Sequence, residues 1–288
     1  MLKYKIIWLA DYDVSDHKGG AQQTNETMIK AGRRSFQIDF MKPEDFNKDK
    51  LREATLVITN NITKFEEDDL YWLTQHIPYV RFEHDYWAVT QGAAKGNLFR
   101  GSLANIFLSP MHYKESCKIF GDNIKNKRIT PSAVDTTLFR IDKEVERIPQ
   151  TVIYAGQVCS LKGYREFDQF INEHPEKKFI VCGWGEDANN IKVHKNVEFH
   201  ETMEQKDLLK LYQSSQYFYH RPEWKEPFGR SVMEAYLCGC SLLINENIGA
   251  MSWDWNWEDY DFIVKQMEEA PANFWKIIKD VIAKNNLE

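Results

Sequence analysis

Short runs of β-branched and aromatic residues alternate with helical patterns along almost the whole chain, and this rhythm constrains the fold more than any other feature. YKIIWLA (4–10), SFQIDFM (35–41), ATLVITN (54–60), PYVRFEH (78–84), ANIFLSP (104–110) and KRIT (127–130) read as strands. A second set follows in TVIYAG (151–156), KFIVCGWG (178–185), VEFH (197–200), YFYHR (217–221) and SLLINE (241–246). Helical windows at 21–31, 65–76, 111–120, 164–173, 204–214 and 229–238 fill the gaps. Such alternation means βαβ units, hence parallel sheets with helices on both faces. The rhythm breaks at RIDKEVERIPQ (140–150), which is charged, has no strand signal and reads as a linker. Two doubly wound α/β domains, 1–140 and 151–269, are therefore expected, a division that suits 288 residues. A closing segment, 270–288, places Phe274, Ile277, Ile278, Val281 and Ile282 at helical spacing, so one face of it needs a partner.

Net charge is −6 with 28% charged residues, which argues against a general nucleic-acid binder but leaves room for a local basic pocket. The apolar core of MLKYKIIWLADYD is too short for a signal peptide, and no apolar run approaches the roughly 18 residues of a membrane span. Five cysteines without a C-x-x-C spacing read as reduced, buried thiols. A cytoplasmic location is expected, with peripheral membrane contact left open.

Ligands of open α/β sheets bind beyond the carboxyl ends of the strands, so residues just after strands carry the chemistry. Gly19 and Gly20 precede a helix, where backbone amides can meet a phosphate, although paired glycines there also make a plain turn. No G-x-G-x-x-G follows the first strand, which counts against a dinucleotide dehydrogenase. His84 and Asp85 follow the fourth strand; a lone histidine is more often structural, and no ligand-like spacing predicts a metal. In YAGQVCSLKG, Lys162 stands at a strand-to-helix turn, as a phosphate ligand or a solvated lysine. Gly183 repeats the glycine-after-strand pattern. The window 229–238 is apolar nearly all round and holds only Arg230 and Glu234 as charges. A buried carboxylate is costly unless paired or hydrogen-bonded, so Glu234 needs either a structural cation or a ligand hydroxyl.

Glu226 and Glu234 are separated by seven residues in EPFGRSVME, and this resembles the E-x7-E signature of retaining glycosyltransferases of the GT-B fold, family four. TPSAVDTTLF (130–139), YAGQVCSLKG, CGWGED and KGGAQ resemble four further motifs of that family in the same order. The resemblance implies two Rossmann-like domains facing each other across a cleft, with the first binding the acceptor and the second the nucleotide-sugar donor. The C-terminal helix would cross back to the first domain.

It also implies roles. Glu234 would take the donor ribose hydroxyls and Glu226 the sugar hydroxyls; amides around Phe228 and Gly229 would face sugar or phosphate. Lys162, with Gly19 and Gly20, would neutralise the diphosphate, and His84 would lie beside the sugar. Base contacts would fall around His200–Met203. No metal or cofactor is implied; the co-substrate would be a UDP- or GDP-sugar and the acceptor a glycan, lipid-linked or small molecule.

One departure stands out: the family's arginine is Gln157 here, so Arg221 or Arg230 would have to supply the missing charge. Gln157 motivates the alternative of a degenerate, non-catalytic nucleotide-sugar-binding subunit. A same-fold phosphorylase, hydrolase or epimerase is the nearest enzymatic alternative. Trp253, Trp255 and Trp257 alternate, which suits either domain packing or a stacking platform for sugars.

Overall fold

The structure is a computed structural model describing residues 4–16, 19–86, 93–121, 124–201 and 203–287. It divides into two units, Met1–Ala133 with Lys265–Glu288, and Val134–Val264. Met1–Lys3, Lys18, Thr202 and Glu288, which fall in the segments named above, lie outside the described residues.

Unit 1 is built on β1 (Lys5–Ala10), β2 (Gln37–Met41), β3 (Leu56–Asn60), β4 (Tyr79–Phe82), β5 (Asn105–Phe107) and β6 (Lys127–Ile129). Their order is β2-β1-β3-β4-β5-β6, and every pair is parallel. The central strands β1 and β3 are buried along almost their full length, which is why they read as continuous apolar runs rather than alternating ones. Helices α1 (Gly20–Gly32), α2 (Lys48–Arg52), α3 (Glu67–His76), α4 (Ala93–Gly101) and α5 (Pro110–Phe120) connect them. Ser109 starts α5 by accepting from His112 N at 3.0 Å, with Pro110 at the first helical position.

Unit 2 carries β7 (Ile148–Gln157), α6 (Tyr164–Glu173), β8 (Lys178–Trp184), α7 (Ala188–Lys192), β9 (Val197–His200), α8 (Gln205–Ser214), β10 (Ser215–His220), α9 (Arg230–Leu237) and β11 (Ser241–Ile244). Its sheet is parallel in the order β11-β10-β7-β8-β9. The fold is thus mixed α/β on two parallel sheets. The stretch 140–150, read above as a linker, is held within unit 2. Ile148–Gln150 already belong to β7, and the Arg147 guanidinium donates to the backbone carbonyls of Ser215 (2.5 Å) and Cys238.

The last helix, α10 (Tyr260–Lys284), starts ten residues before the amphipathic segment marked in the sequence, and the division between units passes through it after Val264. In unit 1 its aromatic residues join the core. Trp8 packs against Phe274 and Trp275 with ring centroids 5.8 and 6.4 Å apart, and Trp275 Nε1 donates to Met28 O at 2.7 Å. No helix among the described residues is long and apolar enough to cross a membrane.

Candidate functional site

In unit 2 the chain reverses its direction of travel across the sheet between β7 and β10. That is the topological switch point, where strand-end loops diverge and leave a crevice. β7 ends in Gly156 and Gln157, in register with Gly183 and Trp184 of β8, and β10 ends in His220. The loops leaving these strands are stitched together. Glu223 N and Trp224 N donate to Leu161 O at 3.0 and 3.2 Å, tying the 221–224 segment to the 3₁₀ turn Ser160–Lys162. Gly163, at φ +76°, closes that turn, and a Cβ there would collide with the Arg221 carbonyl. Glu226 is fixed through its backbone by a parallel bridge to Ile248, with Glu226 N on Asn247 O (2.8 Å) and Gly249 N on Glu226 O (3.0 Å). Asn245 and Asn247 side chains both clamp Pro222 O.

This scaffold gathers a cluster of charge. Glu226 is 8% exposed, and its Oε1 accepts from Lys162 Nζ and from His220 Nε2 at 3.2 Å. Lys162 Nζ also lies 4.9 Å from the centre of the Trp224 ring. Burial pushes the Glu226 carboxyl upward, but the Lys162 charge and the donors on Lys162 and His220 win and hold it well below the usual carboxylate range. No hydrogen bond from the described residues reaches Glu226 Oε2.

Eight positions on, Glu234 sits on the buried face of α9. Gly229, in the left-handed region at φ +85°, turns the chain into that helix, and no side chain caps it. Glu234 Oε1 accepts from Arg230 Nε at 2.8 Å, one turn back, so the sequence question has a structural answer: the carboxylate has a cation of its own. Burial still outweighs Arg230 and raises the Glu234 carboxyl above its ordinary value. Here too Oε2 takes no hydrogen bond from the described residues. Both glutamates thus spend one oxygen on the protein and keep the other.

Of the residues singled out in the sequence, Gln157, Lys162, Gly183, Arg221, Glu226, Phe228, Gly229, Arg230 and Glu234 belong to unit 2, where the side chains of Lys162 and Glu226, and of Arg230 and Glu234, meet. Phe228 is buried and its carbonyl accepts from Ala250 N at 2.7 Å. Gly19, Gly20 and His84 belong to unit 1. Gly19 is the N-cap of α1 and Gly20 its first residue, while His84 is buried edge-on to Phe82 with ring centroids 4.4 Å apart. The two cations named to replace the charge absent at Gln157 are already engaged: Arg221 on Glu166 at 2.8 Å, Arg230 on Glu234. Among the described residues no three His, Cys, Asp or Glu side chains group as metal ligands.

Sequence reasoning missed His220, because nothing in YFYHR marks a contact six residues ahead. It also missed the polar plug at the switch point of unit 1. There Asp11 accepts from Thr63 N (2.8 Å), Thr63 Oγ1 (2.5 Å) and Lys64 N (2.9 Å), and Asn25 donates to Asn60 at 3.0 Å. The tryptophans form no strand. After a 3₁₀ turn at Gly249–Ser252, Trp253 and Trp255 stack at 5.1 Å and 13°, and Trp257 meets Tyr236 edge-on at 5.4 Å, all inside unit 2.

Residues 139–270 match the sequence family described as glycosyl transferases group 1. No curated protein matches the chain. Solved structures with a similar fold include AviGT4, a glycosyltransferase involved in avilamycin A biosynthesis, at 11% identity and TM-score 0.68, covering 98% of both chains. HepE of Anabaena in complex with UDP-glucose has 15% identity and TM-score 0.67, over 98% of this chain and 97% of that one. An α-glucosyltransferase in complex with UDP and a 13-mer DNA has 11% identity and TM-score 0.64, over 97% and 99%. These neighbours are GT-B glycosyltransferases, and the likeness extends over both units.

Proposed function

We propose that the chain is a retaining glycosyltransferase that moves a sugar from a nucleoside-diphosphate sugar to an acceptor hydroxyl without a bound metal. One observation carries the reading. Two buried carboxylates, eight positions apart inside the segment that matches the family, each hold a cation through Oε1 and leave Oε2 without a hydrogen bond from the described residues. Neither Oε2 is among the buried polar atoms left without a partner, so each oxygen faces accessible space, where hydroxyls of a polyol ligand can donate to it. Glu234 then takes the ribose and Glu226 the sugar, while Lys162 takes the diphosphate. UDP or UDP-glucose bound in similar structures supports a uridine or related nucleotide as donor.

Rate enhancement on this reading comes chiefly from stabilising the departing diphosphate. Lys162 and the first-turn amides of α9, after Gly229, supply positive potential there. The acceptor hydroxyl attacks from the face the leaving group vacates and passes its proton to the leaving phosphate. One similar structure holds DNA, but a net charge of −6 does not favour a polyanionic acceptor, and a glycan, lipid-linked or small-molecule hydroxyl fits better.

The test is a thermal-shift screen against UDP-, GDP-, ADP- and TDP-sugars, where saturating ligand at about 100 times its dissociation constant stabilises by about 2.7 kcal/mol. The cognate donor should raise Tm, and Glu234→Ala should abolish the shift; an undiminished shift in that variant removes Glu234 from the ribose. A second reading, a donor-binding subunit without turnover, rests on Gln157 with Arg221 and Arg230 both engaged elsewhere. Binding without transfer in the wild type, and transfer gained by Gln157→Arg, would establish it.

A further inference from the structure

Lys162 and His220 donate to the same oxygen of Glu226, and the two donors differ in how freely they can leave it. A diphosphate carries more charge than a carboxylate and draws the lysine, whose side chain is 22% exposed and jointed along its length. Glu226 would then be a buried carboxylate stripped of its cation, free to swing or to take up a proton. His220 cannot follow the lysine. It is 4% exposed at the last position of β10, in register with Ile244, and walled by Tyr154 and Phe218 with ring centroids 6.2 and 6.3 Å away. Its Nδ1 has no hydrogen-bond partner among the described residues, so the one polar contact that justifies a histidine here is Nε2 on Glu226.

We propose that His220 is a positioning residue: it retains Glu226 Oε1 after Lys162 leaves for the diphosphate, so that Oε2 stays aimed at the sugar hydroxyls. This rests on the glycosyltransferase reading and adds a division of labour to it. Lys162 alternates between carboxylate and phosphate, and His220 is the constant partner. His220 does not touch the donor on this account; it acts only through Glu226.

The measurement is a pair of dissociation constants, by titration calorimetry, for each free nucleoside diphosphate (UDP, GDP, ADP, TDP) and for its sugar conjugates. In His220→Leu the cognate sugar nucleotide should bind about tenfold or more weakly, the scale of a lost hydrogen bond to a charged group, while the free diphosphate changes by less than about twofold. His220→Gln, whose amide nitrogen reaches near the Nε2 position, should restore sugar binding to within about threefold, whereas His220→Asn, too short to reach, should not. Equal affinities in wild type and His220→Leu overturn the proposal, and so does parallel weakening of diphosphate and conjugate, the signature of a merely structural residue. Should the leucine variant fail to fold, the Gln and Asn pair decides: equal behaviour of the two is fatal. Wild-type protein that binds none of these nucleotides overturns the glycosyltransferase reading itself, which is a different outcome from loss of the contrast between variants.

Discussion

The side chain that organises unit 2 is Glu226, and its chemistry follows from burial opposed by charge. Desolvation alone would raise its pKa; Lys162 and His220 more than reverse that and depress it below the ordinary 4.5. A carboxyl depressed in the folded state contributes stability that is fully present above its unfolded value and is lost as pH falls through the folded one. Lys162→Met should therefore cost about 2 kcal/mol near neutral pH, less than the 3–5 of a fully buried pair because Lys162 is partly exposed and His220 remains. The deficit should shrink as pH drops below about 4.5, since the unfolded chain then takes up a proton at Glu226 that the depressed carboxyl of the folded wild type does not, and the stability contributed by the pair is progressively lost. Urea unfolding along a pH series reads this, and a deficit constant from neutral to acid pH would show that Lys162 acts by packing alone. None of it was visible in one dimension. Glu226 and Glu234 could be picked out by their spacing and by an apolar helix with an isolated charge, but their cations had to be found in space. Lys162 lies 64 residues from Glu226. His220 lies only six away, yet the pairing depends on how the loop after β10 folds back onto the end of β11.

At the scale of elements, the parallel strands were readable because buried strands must be apolar on both faces, and β-branched runs bounded by turn residues leave few alternatives. The helices were less so. α2 and α7 have five residues each, too few for a periodicity to register, and α4 contains glycines at both Gly96 and Gly101. The start of α10 was hidden by Pro271, which reads as a boundary but lies inside the helix. Its missing N–H forfeits one hydrogen bond in a 25-residue element, and the packing of the later residues outweighs that. Turns carry as much of the site as helices do. Gly163 combines a left-handed φ of +76° with contact against the Arg221 carbonyl, so it seats the Lys162 turn on the loop from β10. Gly163→Ala should lower stability by about 2 kcal/mol or more, through the left-handed penalty and the collision together. It should also weaken donor binding more than the stability loss explains, because the turn that carries Lys162 must back away. Crystallography or exchange protection of the 160–163 and 221–224 amides would check this; wild-type protection there would refute it.

For the molecule as a whole, α10 is the element whose sequence position misleads most. Its first turn belongs with unit 2 and the rest with unit 1, so the N-terminal sheet is completed by residues that come last in the chain. The reason is in the core of unit 1. Trp8 on the central strand meets Phe82, Phe274 and Trp275, and Phe36 stacks on Trp275 at 4.8 Å, leaving a cluster in which every ring comes from α10 or touches it. Phe274 is fully buried, and Phe274→Ala should cost about 3–5 kcal/mol, the range for emptying a large aromatic site in a core. Because the chain has two units, the loss is best read locally rather than as one midpoint. Amides of β1 and β3 should exchange faster by roughly the factor that free energy implies, a thousandfold or so at the middle of the range, if exchange there follows opening of unit 1. Removing Lys265–Glu288 outright should go further and leave Trp8 and Met28 without their cover, so that a chain ending at Val264 loses the tryptophan environment of Trp8, read as a red-shifted emission. A truncated chain that retains wild-type protection in β1 and β3 would mean that the sheet of unit 1 is stable without α10, and the aromatic cluster would then be an ornament of the fold rather than its cause.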